Sequence, residues 1–166
     1  MLETADEIQE LQALLDASFG RASAHLRSIM TPERRLSAVD LVDQLTGIAV
    51  LDVATVTATG EPRISALDGH FLHGRWHFTT DGVSPKARQM RARPSVSAAF
   101  TPREDYGVFC HGKVRFLSDG MQEFDDLEQH CLRTYGQSPR EWGEQIVYLR
   151  IEPSWMVGWA MGPEAA

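Results

Sequence analysis

The chain has 166 residues, 43% hydrophobic and 23% charged, which is the balance of a globular domain and not of a disordered segment. Its formal net charge at pH 7 is -7, whereas proteins that bind nucleic acid or anionic membranes through their overall charge are usually basic. We therefore expect one domain with a substantial core, and neither nucleic acid nor a membrane as a partner.

The N-terminus and the cysteines indicate the compartment. The first ten residues, MLETADEIQE, are acidic and lack the basic start and apolar block of a secretory signal peptide. No apolar run approaches the roughly 20 residues that span a bilayer. Cys110 and Cys131 form no CxxC pair and are typical of reduced thiols. Together these features predict a soluble, cytoplasmic protein.

Residues 1–47 are predicted to form a helical extension. Thr4 and Glu7 make a T-x-x-E capping box, which marks the start of a helix. Apolar residues then recur at helical spacing, with Gly20 as a candidate interruption. A second helix is predicted over 37–45. The apolar positions of the first segment are Ile8, Leu11, Leu15, Ala22, Leu26 and Ile29.

Residues 48–166 change to a pattern of short strands, and we expect them to form the main domain. Seven or eight strands, mostly in hairpins and with helices at the edges, favour a mainly β, α+β fold built on an antiparallel barrel or sandwich. The segment 101–107 is predicted to be a loop. The strands are predicted at 48–67 (two, with a turn at 59–61), 71–80 (a hairpin turning at His73-Gly74), 95–100, 107–117, 146–153 and 154–160, and the helices at 84–91, 119–135 and 138–141.

The segment TTDGVSPKARQM, Thr79 to Met90, joins a predicted strand to a predicted helix. Ser84 suits the N-cap of that helix and Pro85 its first position. Lys86 follows in the first turn, where the helix dipole disfavours a cation. An anion bound by the exposed backbone N–H groups would explain this cation, and Thr79 and Thr80 would add hydroxyl donors. A solvated lysine at a helix end is the alternative.

Other cations lie near the same segment in sequence. Arg63 begins the strand PRISAL, and it could reach the same anion if that strand pairs with residues 76–80. The cluster of Lys86, Arg88, Arg91 and Arg93 could hold an acidic cofactor tail, or it could be a solvated helix face.

The histidines and serines predict no other chemistry. The six histidines lack the spacing of a metal site, and there is no P-loop, G-x-G-x-x-G or G-x-S-x-G motif. We therefore expect no metal and name no catalytic residue. His70 and His111 remain candidates to line a pocket.

These motifs resemble those of the pyridoxamine 5'-phosphate oxidase-like superfamily of flavin-binding split β-barrels. The resemblance covers roughly residues 48–118. It is most specific in WHFTTDGVSPKARQMRARPSVSAAF, 76–100, and is supported by PRISAL and by GVFCHGKVRFL, 107–117. It implies an antiparallel Greek-key split β-barrel of the FMN-binding type over residues 48–166.

The resemblance also implies the site residues. Arg63, Ser84 and Lys86 would hold the FMN phosphate, with Pro85 between them and Thr80 assisting, while Thr79 would lie near the ribityl chain. The strand residues that would run beside the isoalloxazine ring are Ile64, Ser65, Ala66 and Leu67. It further implies a homodimer with cofactor sites at the subunit interface, and Trp155 or Trp159 is the candidate residue to reach a site from the partner chain.

The function that the resemblance implies is an FMN-dependent oxidoreductase acting on a small molecule. Asp68 stands where the oxidase proper has a lysine, and the C-terminal segment lacks the oxidase's Arg- and His-rich pattern, so we do not expect pyridoxamine phosphate as the substrate. A deazaflavin-dependent reductase of the same fold and a non-catalytic flavin- or haem-binding protein are the alternatives.

Overall fold

The computed structural model describes residues 2–161. Within this range there are six strands: β1 Ala49–Val56, β2 Pro62–Leu72, β3 Arg75–Asp81, β4 Ser95–Arg103, β5 Tyr106–Leu117 and β6 Ile146–Ala160. The α-helices are α1 Ala5–Gly20, α2 Ala24–Ile29, α3 Ala38–Gln44, α4 Pro85–Ala92 and α5 Gln122–Tyr135. Two short 3₁₀ helices cover Pro32–Arg34 and Pro139–Trp142.

The six strands form one closed antiparallel barrel in the order β1-β2-β3-β6-β5-β4. Because β3 lies beside β6 while β4 lies beside β1, the connection from β3 to β4 must cross an end of the barrel, and it does so through α4. The fold class predicted from the sequence, a mainly β split barrel with flanking helices, is confirmed.

Alternating side chains of the strands fill the barrel. Leu51 and Val53 of β1 and Val108 and Cys110 of β5 are completely buried in one large hydrophobic cluster. Their neighbours along each strand point outward, as expected for the period of two residues in a strand. On β5, for example, His111, Lys113 and Arg115 are exposed, whereas Cys110 and Val114 are buried.

The prediction of seven or eight strands was wrong because two pairs of predicted strands are continuous. PRISAL and the strand leading into the His73-Gly74 turn together form β2, and residues 146–160 form the single strand β6. The sequence break at Pro153-Ser154 corresponds to a register shift opposite Gly112, where β6 carries one extra residue. A bulge accommodates a proline without ending the strand, because the residue there need not donate a ladder hydrogen bond.

The predicted loop at 101–107 was also wrong in part. Strand β4 extends to Arg103 and β5 begins at Tyr106, so only a tight hairpin turn separates them. The Arg103 guanidinium contacts the Asp105 carboxylate across this turn at 2.5 Å.

The N-terminal helices pack on the barrel. The capping box of Thr4 and Glu7 starts α1, and the chain leaves the helix after Gly20 before α2 begins. The Ser18 hydroxyl accepts a hydrogen bond from the Met156 backbone N–H of β6 at 3.0 Å. Leu11 joins the main hydrophobic cluster. The helices of residues 1–47 therefore share their core with the barrel.

Helix α5 covers the outer face of the barrel over β2, β5 and β6. It contributes buried Phe124, Leu127 and Cys131 to a second hydrophobic cluster that also holds Leu72 of β2 and Tyr148 of β6. The thiols of Cys131 and Cys110 are both free. Within residues 2–161, no helix combines the length and apolar character needed to cross a membrane.

Candidate functional site

The edge of β2 is open along its first half. Strand β2 pairs with β1 from Pro62 to Gly69, but it pairs with β3 only from Gly69 to Leu72. Beyond Phe78, β3 leaves β2 and continues its pairing with β6. The backbone groups of residues 62–68 on the side facing away from β1 therefore have no strand partner, and a gap separates the two strands. Unpaired backbone donors and acceptors at such an edge can bind a polar ligand.

Helix α4 begins immediately after β3, at the end of the strand that borders this gap. The Ser84 hydroxyl accepts a hydrogen bond from the Ala87 N–H at 3.2 Å, and Pro85 takes the first helical position, so both capping predictions are confirmed. The first turn contains no acidic residue. It contains half-buried Lys86, one of only two lysines in the sequence. The positive end of the helix dipole thus coincides with a side-chain cation.

The other Ser-Pro cap of this protein has the opposite electrostatic design. Ser138 caps the 3₁₀ helix Pro139–Trp142, and the Glu141 carboxylate accepts from the Ser138 N–H at 3.3 Å. The first turn of that helix is neutralised by the chain's own carboxylate, whereas the first turn of α4 contains none. The Asp81 carboxylate lies in the turn before α4, where it accepts from the Val83 N–H at 2.9 Å.

The turn before α4 is held tightly. The Gly82 N–H donates to the Gln145 carbonyl at 2.7 Å, and the Arg91 guanidinium donates to the Gly82 carbonyl at 2.6 Å. A Cβ at Gly82 would lie 2.7 Å from the Gln145 oxygen, so this approach requires glycine. The N-terminus of α4 is therefore fixed relative to β6 as well as to β3.

Thr55, Gln89 and the backbone of Arg63 connect α4 to the open half of β2. The Thr55 hydroxyl, on the 1% exposed side chain of a β1 residue, donates to the Gln89 side-chain oxygen at 2.5 Å. The same hydroxyl lies 3.5 Å from the Arg63 carbonyl of β2. Gln89 lies one helical turn from Pro85, so Thr55 positions both the helix and the strand. No sequence motif indicates this pair, because the threonine and the glutamine lie 34 residues apart.

The Arg63 side chain is engaged by Glu61 and Pro62 and not by α4. Its guanidinium donates to the Glu61 carboxylate at 2.8 Å and to the Pro62 carbonyl at 3.0 Å. The expected pairing of this part of β2 with residues 76–80 was wrong, since the ladder between β2 and β3 ends at Gly69 and Phe78. The structure therefore brings the backbone of Arg63 near α4, but not its charge.

The remaining predicted residues lie on the two sides of the gap. On β2, Leu67 is buried and Ser65 half-buried toward the interior, whereas Ile64 and Ala66 are exposed on the outer face. On β3, Thr79 and Thr80 are both half-buried. Since successive strand residues point to opposite faces, only one of the two threonine hydroxyls can serve a ligand on a given side.

The basic cluster is partly structural. Arg91 holds the turn at Gly82 and lies over the Phe116 ring at 4.9 Å, and the Arg93 side chain donates to the Val56 carbonyl at 2.9 Å. Arg88 is exposed. Two of the four cations are thus engaged in holding α4 on the barrel.

The candidate pocket histidines have different surroundings. His111 is exposed, accepts or donates a hydrogen bond with the Ser97 hydroxyl at 2.8 Å, and stacks on Trp155 at 4.8 Å between ring centroids. It lines an apolar groove of about 350 Å³ together with Phe109 and Trp159. His70 is buried under α5. No group of three potential metal ligands converges within residues 2–161.

A cavity of about 400 Å³ lies elsewhere. It is bounded by the end of β5, Arg140 and the start of β6, and none of the ten predicted site residues lines it. Arg140 there pairs with Asp119 and stacks over the Phe124 ring at 4.8 Å. Cavity size alone would therefore have directed attention away from the strand edge.

The fold defines the class of protein: a six-stranded antiparallel split barrel whose opening lies between β2 and β3. No protein-family model matches the sequence, and no curated protein matches it either. Solved structures do match. A conserved hypothetical protein of Mycobacterium tuberculosis is 19% identical with a TM-score of 0.63, over 78% of this chain and 88% of that one. An FAD-binding protein of Mesorhizobium loti is 23% identical with a TM-score of 0.59, over 76% of this chain and 94% of that one.

A third match is a proposed pyridoxamine 5'-phosphate oxidase of Listeria innocua, 13% identical with a TM-score of 0.53, over 66% of this chain and 87% of that one. An F₄₂₀ reductase and a haem storage protein of Vibrio cholerae also share the fold, with TM-scores of 0.55 and 0.59. The resemblance predicted from the sequence is therefore confirmed at the level of the fold.

Proposed function

We propose that this protein binds a flavin at the opening between β2 and β3, that the flavin is FMN, and that the complex is an oxidoreductase acting on a small molecule. The observation that carries the proposal is the start of α4, where Lys86 and the positive end of the helix dipole lie in a first turn without an acidic residue, beside an unpaired strand edge. A phosphate is the ligand that this combination favours.

The phosphate site would be completed by Arg63. Its present partner, Glu61, is an exposed carboxylate, and exposed ion pairs of this kind contribute little free energy. A phosphate carries more charge and accepts a bidentate bond from a guanidinium, so it can displace the carboxylate. The Arg63 side chain would then turn toward α4, next to which its backbone already lies.

The strand edge suits the flavin ring. An isoalloxazine has a polar edge of carbonyls and ring nitrogens and an apolar edge. The unpaired backbone of residues 64–67 supplies donors and acceptors for the polar edge, and the Thr79 and Thr80 side chains border the same gap. When bound, the flavin supplies hydride transfer, so the protein needs to provide position, electrostatics and exclusion of water.

The state of the basic cluster favours FMN over the deazaflavin coenzyme. The acidic tail of the deazaflavin would need free cations beyond the phosphate. Arg91 and Arg93 are already bonded to backbone carbonyls, which leaves Arg88 as the further cation of the cluster besides Lys86. Both cofactors have a phosphate and remain distinguishable by colour.

Purification followed by a visible spectrum and a titration tests the proposal. A bound flavin absorbs near about 450 nm, a deazaflavin near about 420 nm, and haem gives a Soret band. We expect FMN binding that Lys86→Ala weakens by about 1.5–3 kcal/mol, the usual range for hydrogen bonds to a charged group. Arg140→Ala removes a cation from the other helix with a Ser-Pro cap, where it pairs with Asp119 outside the gap and outside the proposed dimer face, and is the control. A colourless protein that binds none of the three cofactors contradicts the proposal.

We further propose that the protein is a homodimer joined through the outer face of β2, β1, β4 and β5. One cross-strand row on this face runs from Ile64 through Ala54 and Ser97 to His111, next to the apolar groove at Trp155. Ile64 is 72% exposed, which is unusual for an isoleucine in the middle of a sheet face.

The charges on this face suit self-association. Asp52 and Asp68 are exposed at the β1–β2 side and Lys113 at the β5 side, so a two-fold contact can place acidic groups against basic ones. Sedimentation of the native protein should give twice the mass of 18.5 kDa, and Ile64→Glu should give the single mass. Val39→Glu changes an equally apolar residue, 50% exposed on α3 outside this face, and should leave the dimer intact.

A further inference from the structure

Four polar side chains form a continuous hydrogen-bonded row between β2 and α5. His130 Nε2 lies 3.1 Å from His70 Nδ1, and His70 Nε2 lies 3.1 Å from the Tyr135 hydroxyl. The Tyr135 hydroxyl donates to Asp68 Oδ2 at 3.2 Å. His70 is only 2% exposed, in the middle of the row.

The two ends of the row lie in different places. Asp68 follows Leu67 at the end of the unpaired edge of β2, next to the residues proposed to run beside the flavin ring. His130 is half-buried and lines a cavity of about 240 Å³ with Thr46 and Arg133, on the side of the barrel covered by α5. The row therefore crosses from the candidate cofactor edge to a separate opening in the surface.

The hydrogen bonds can all run in one direction. An ionised carboxylate only accepts, so Asp68 takes the single proton of the Tyr135 hydroxyl. The Tyr135 oxygen then accepts from His70 Nε2–H, and His70 Nδ1 accepts from His130 Nε2–H. Every donor points toward Asp68, and His70 is required to be the neutral Nε2–H tautomer.

We propose that Asp68, Tyr135, His70 and His130 form a proton relay that places a proton on the Asp68 carboxylate for the flavin chemistry, with Asp68 as the acid–base residue and the other three as conducting and positioning residues. The proposal rests on the proposed function. A flavin and a partner subunit on this edge would take Asp68 out of bulk water, and the relay leads to a different surface.

The transfer balances without any co-reactant. A proton from solvent binds His130 Nδ1, and the Nε2 proton of His130 moves to His70 Nδ1. The Nε2 proton of His70 moves to the Tyr135 oxygen, and the hydroxyl proton of Tyr135 moves to Asp68 Oδ2. His130, His70 and Tyr135 each gain one proton and lose one, and the Asp68 carboxylate gains one. Both imidazoles and the phenol return to neutral forms with the tautomers exchanged, and reversal of the hydrogen bonds resets them.

The surroundings of the relay keep its members neutral at rest. Burial lowers the pKa of His70 to about 4, with His130 adding to the decrease and Asp68 and the Gly47 carbonyl opposing it. Burial, with a contribution from Arg133, lowers the pKa of His130, and burial and Asp68 raise the pKa of Tyr135.

The remaining titratable neighbour is Cys131, whose sulfur lies 4.0 Å from His70 Nε2. Burial, with a smaller effect of Glu128, raises the pKa of this thiol to about 12, so it stays protonated. With a pKa of about 4, His70 is an imidazolium in roughly one molecule per thousand at pH 7, which suits a transient carrier.

The first test needs no cofactor. In ¹⁵N-histidine NMR spectra of the cofactor-free protein at pH 7, we expect His70 as the Nε2–H tautomer. We expect Asp68→Asn to lower the pKa of His70, because the carboxylate favours its charged form. The Nδ1–H tautomer for His70 would overturn the proposed direction of the relay.

The second test uses the FMN complex. Photoreduced protein is mixed rapidly with ferricyanide in weak buffer, and a pH indicator follows proton release while absorbance near about 450 nm follows the flavin. Tyr135→Phe should delay proton release at least tenfold, and His130→Gln, at the half-buried end, should act in the same direction. Tyr148→Phe is the matched control, because it removes the hydroxyl of another tyrosine under α5, one that donates to Glu128 and has no contact with Asp68.

The outcomes separate the two proposals. FMN binding with unaltered proton release in both relay variants overturns the relay and leaves the proposed function in place. Failure to bind FMN overturns the proposed function, and with it the role of the relay toward a flavin.

Discussion

The two halves of β2 belong to the same strand but have opposite surroundings. From Gly69 to Leu72 the strand pairs with β3, and at Gly69 it also pairs with β1. The side chains of this half are buried on both faces of the sheet. A Cβ at Gly69 would lie 2.4 Å from Leu51, which shows how closely β1 and β2 pack there. From Arg63 to Asp68 one edge is unpaired, and most side chains are exposed or half-buried.

This difference indicates how one strand can serve both stability and function. The closed half is fixed by packing, so substitutions there should lower the free energy of unfolding and leave cofactor affinity unchanged. The open half is held in place by the closed half and by Thr55. Substitutions there should weaken cofactor binding and leave the free energy of unfolding nearly unchanged. The following changes test that division, in order of decreasing expected effect.

Replacement of Phe78 tests the closed half. Phe78 pairs with Gly69 and is completely buried. We expect Phe78→Ala to lower the free energy of unfolding by about 3–5 kcal/mol, because it removes apolar contacts and leaves a cavity. Urea denaturation measures the change, with Phe78→Leu as a milder control. A loss below about 1 kcal/mol would mean that this half is less tightly packed than its burial indicates.

Acid sensitivity should also arise in the closed half, from His70. Its pKa in the folded protein is about 4, below the value of 6.5 for an unperturbed histidine, chiefly because of burial. Between these values the unfolded chain binds a proton that the folded protein does not, so stability is complete above about pH 6.5 and falls as the pH decreases toward 4. The loss amounts to about 3 kcal/mol. Urea titrations at several pH values should show it. His70→Gln should reduce the dependence without abolishing it, because burial also lowers the pKa of His77, its partner on β3, to about 3.

Arg63 tests the open half. Its side chain is exposed and paired only with Glu61, so Arg63→Ala should change the free energy of unfolding by no more than about 0.5 kcal/mol. The same change should weaken FMN binding by about 1.5–3 kcal/mol. Equal affinity of the variant and the native protein would remove Arg63 from the phosphate site.

Lys86 should give effects of opposite sign in the two kinds of experiment. Lys86→Glu replaces a cation by an anion in the first turn of α4, which the helix dipole favours, so thermal and urea denaturation should show a gain of about 0.3–1 kcal/mol. FMN affinity should be lost together with this gain. A variant that is less stable and still binds FMN would indicate that Lys86 has a structural role.

The sequence predicted more of the fold than of the contacts. The helix caps at Thr4, Ser84 and Ser138 were predicted correctly because a cap is a local hydrogen bond between residues two or three positions apart. The hairpin at His73-Gly74 was predicted for the same reason, and His73 indeed has a positive φ of 53°. The fusion of predicted strands into β2 and β6 was missed, because strand continuity depends on partners far away in sequence.

In the candidate site, too, only contacts between neighbours in sequence could be predicted. The cations and hydroxyls near α4 were recognisable because they are neighbours in sequence. The orientation of Arg63 toward Glu61, the bond of Thr55 with Gln89 and the row from Asp68 to His130 were not recognisable. Each of the last two joins residues of separate elements, whose approach only the packed barrel decides.

The sequence by itself determined the periodicity of each strand, the helix starts and the placement of a lysine in a first turn without an acidic residue, since these depend on local sterics and dipoles. Tertiary structure alone decided where β3 leaves β2, because the end of this ladder at Gly69 and Phe78 depends on how strands far apart in sequence pack in the barrel. The open edge that begins there is the feature on which the proposed flavin site depends.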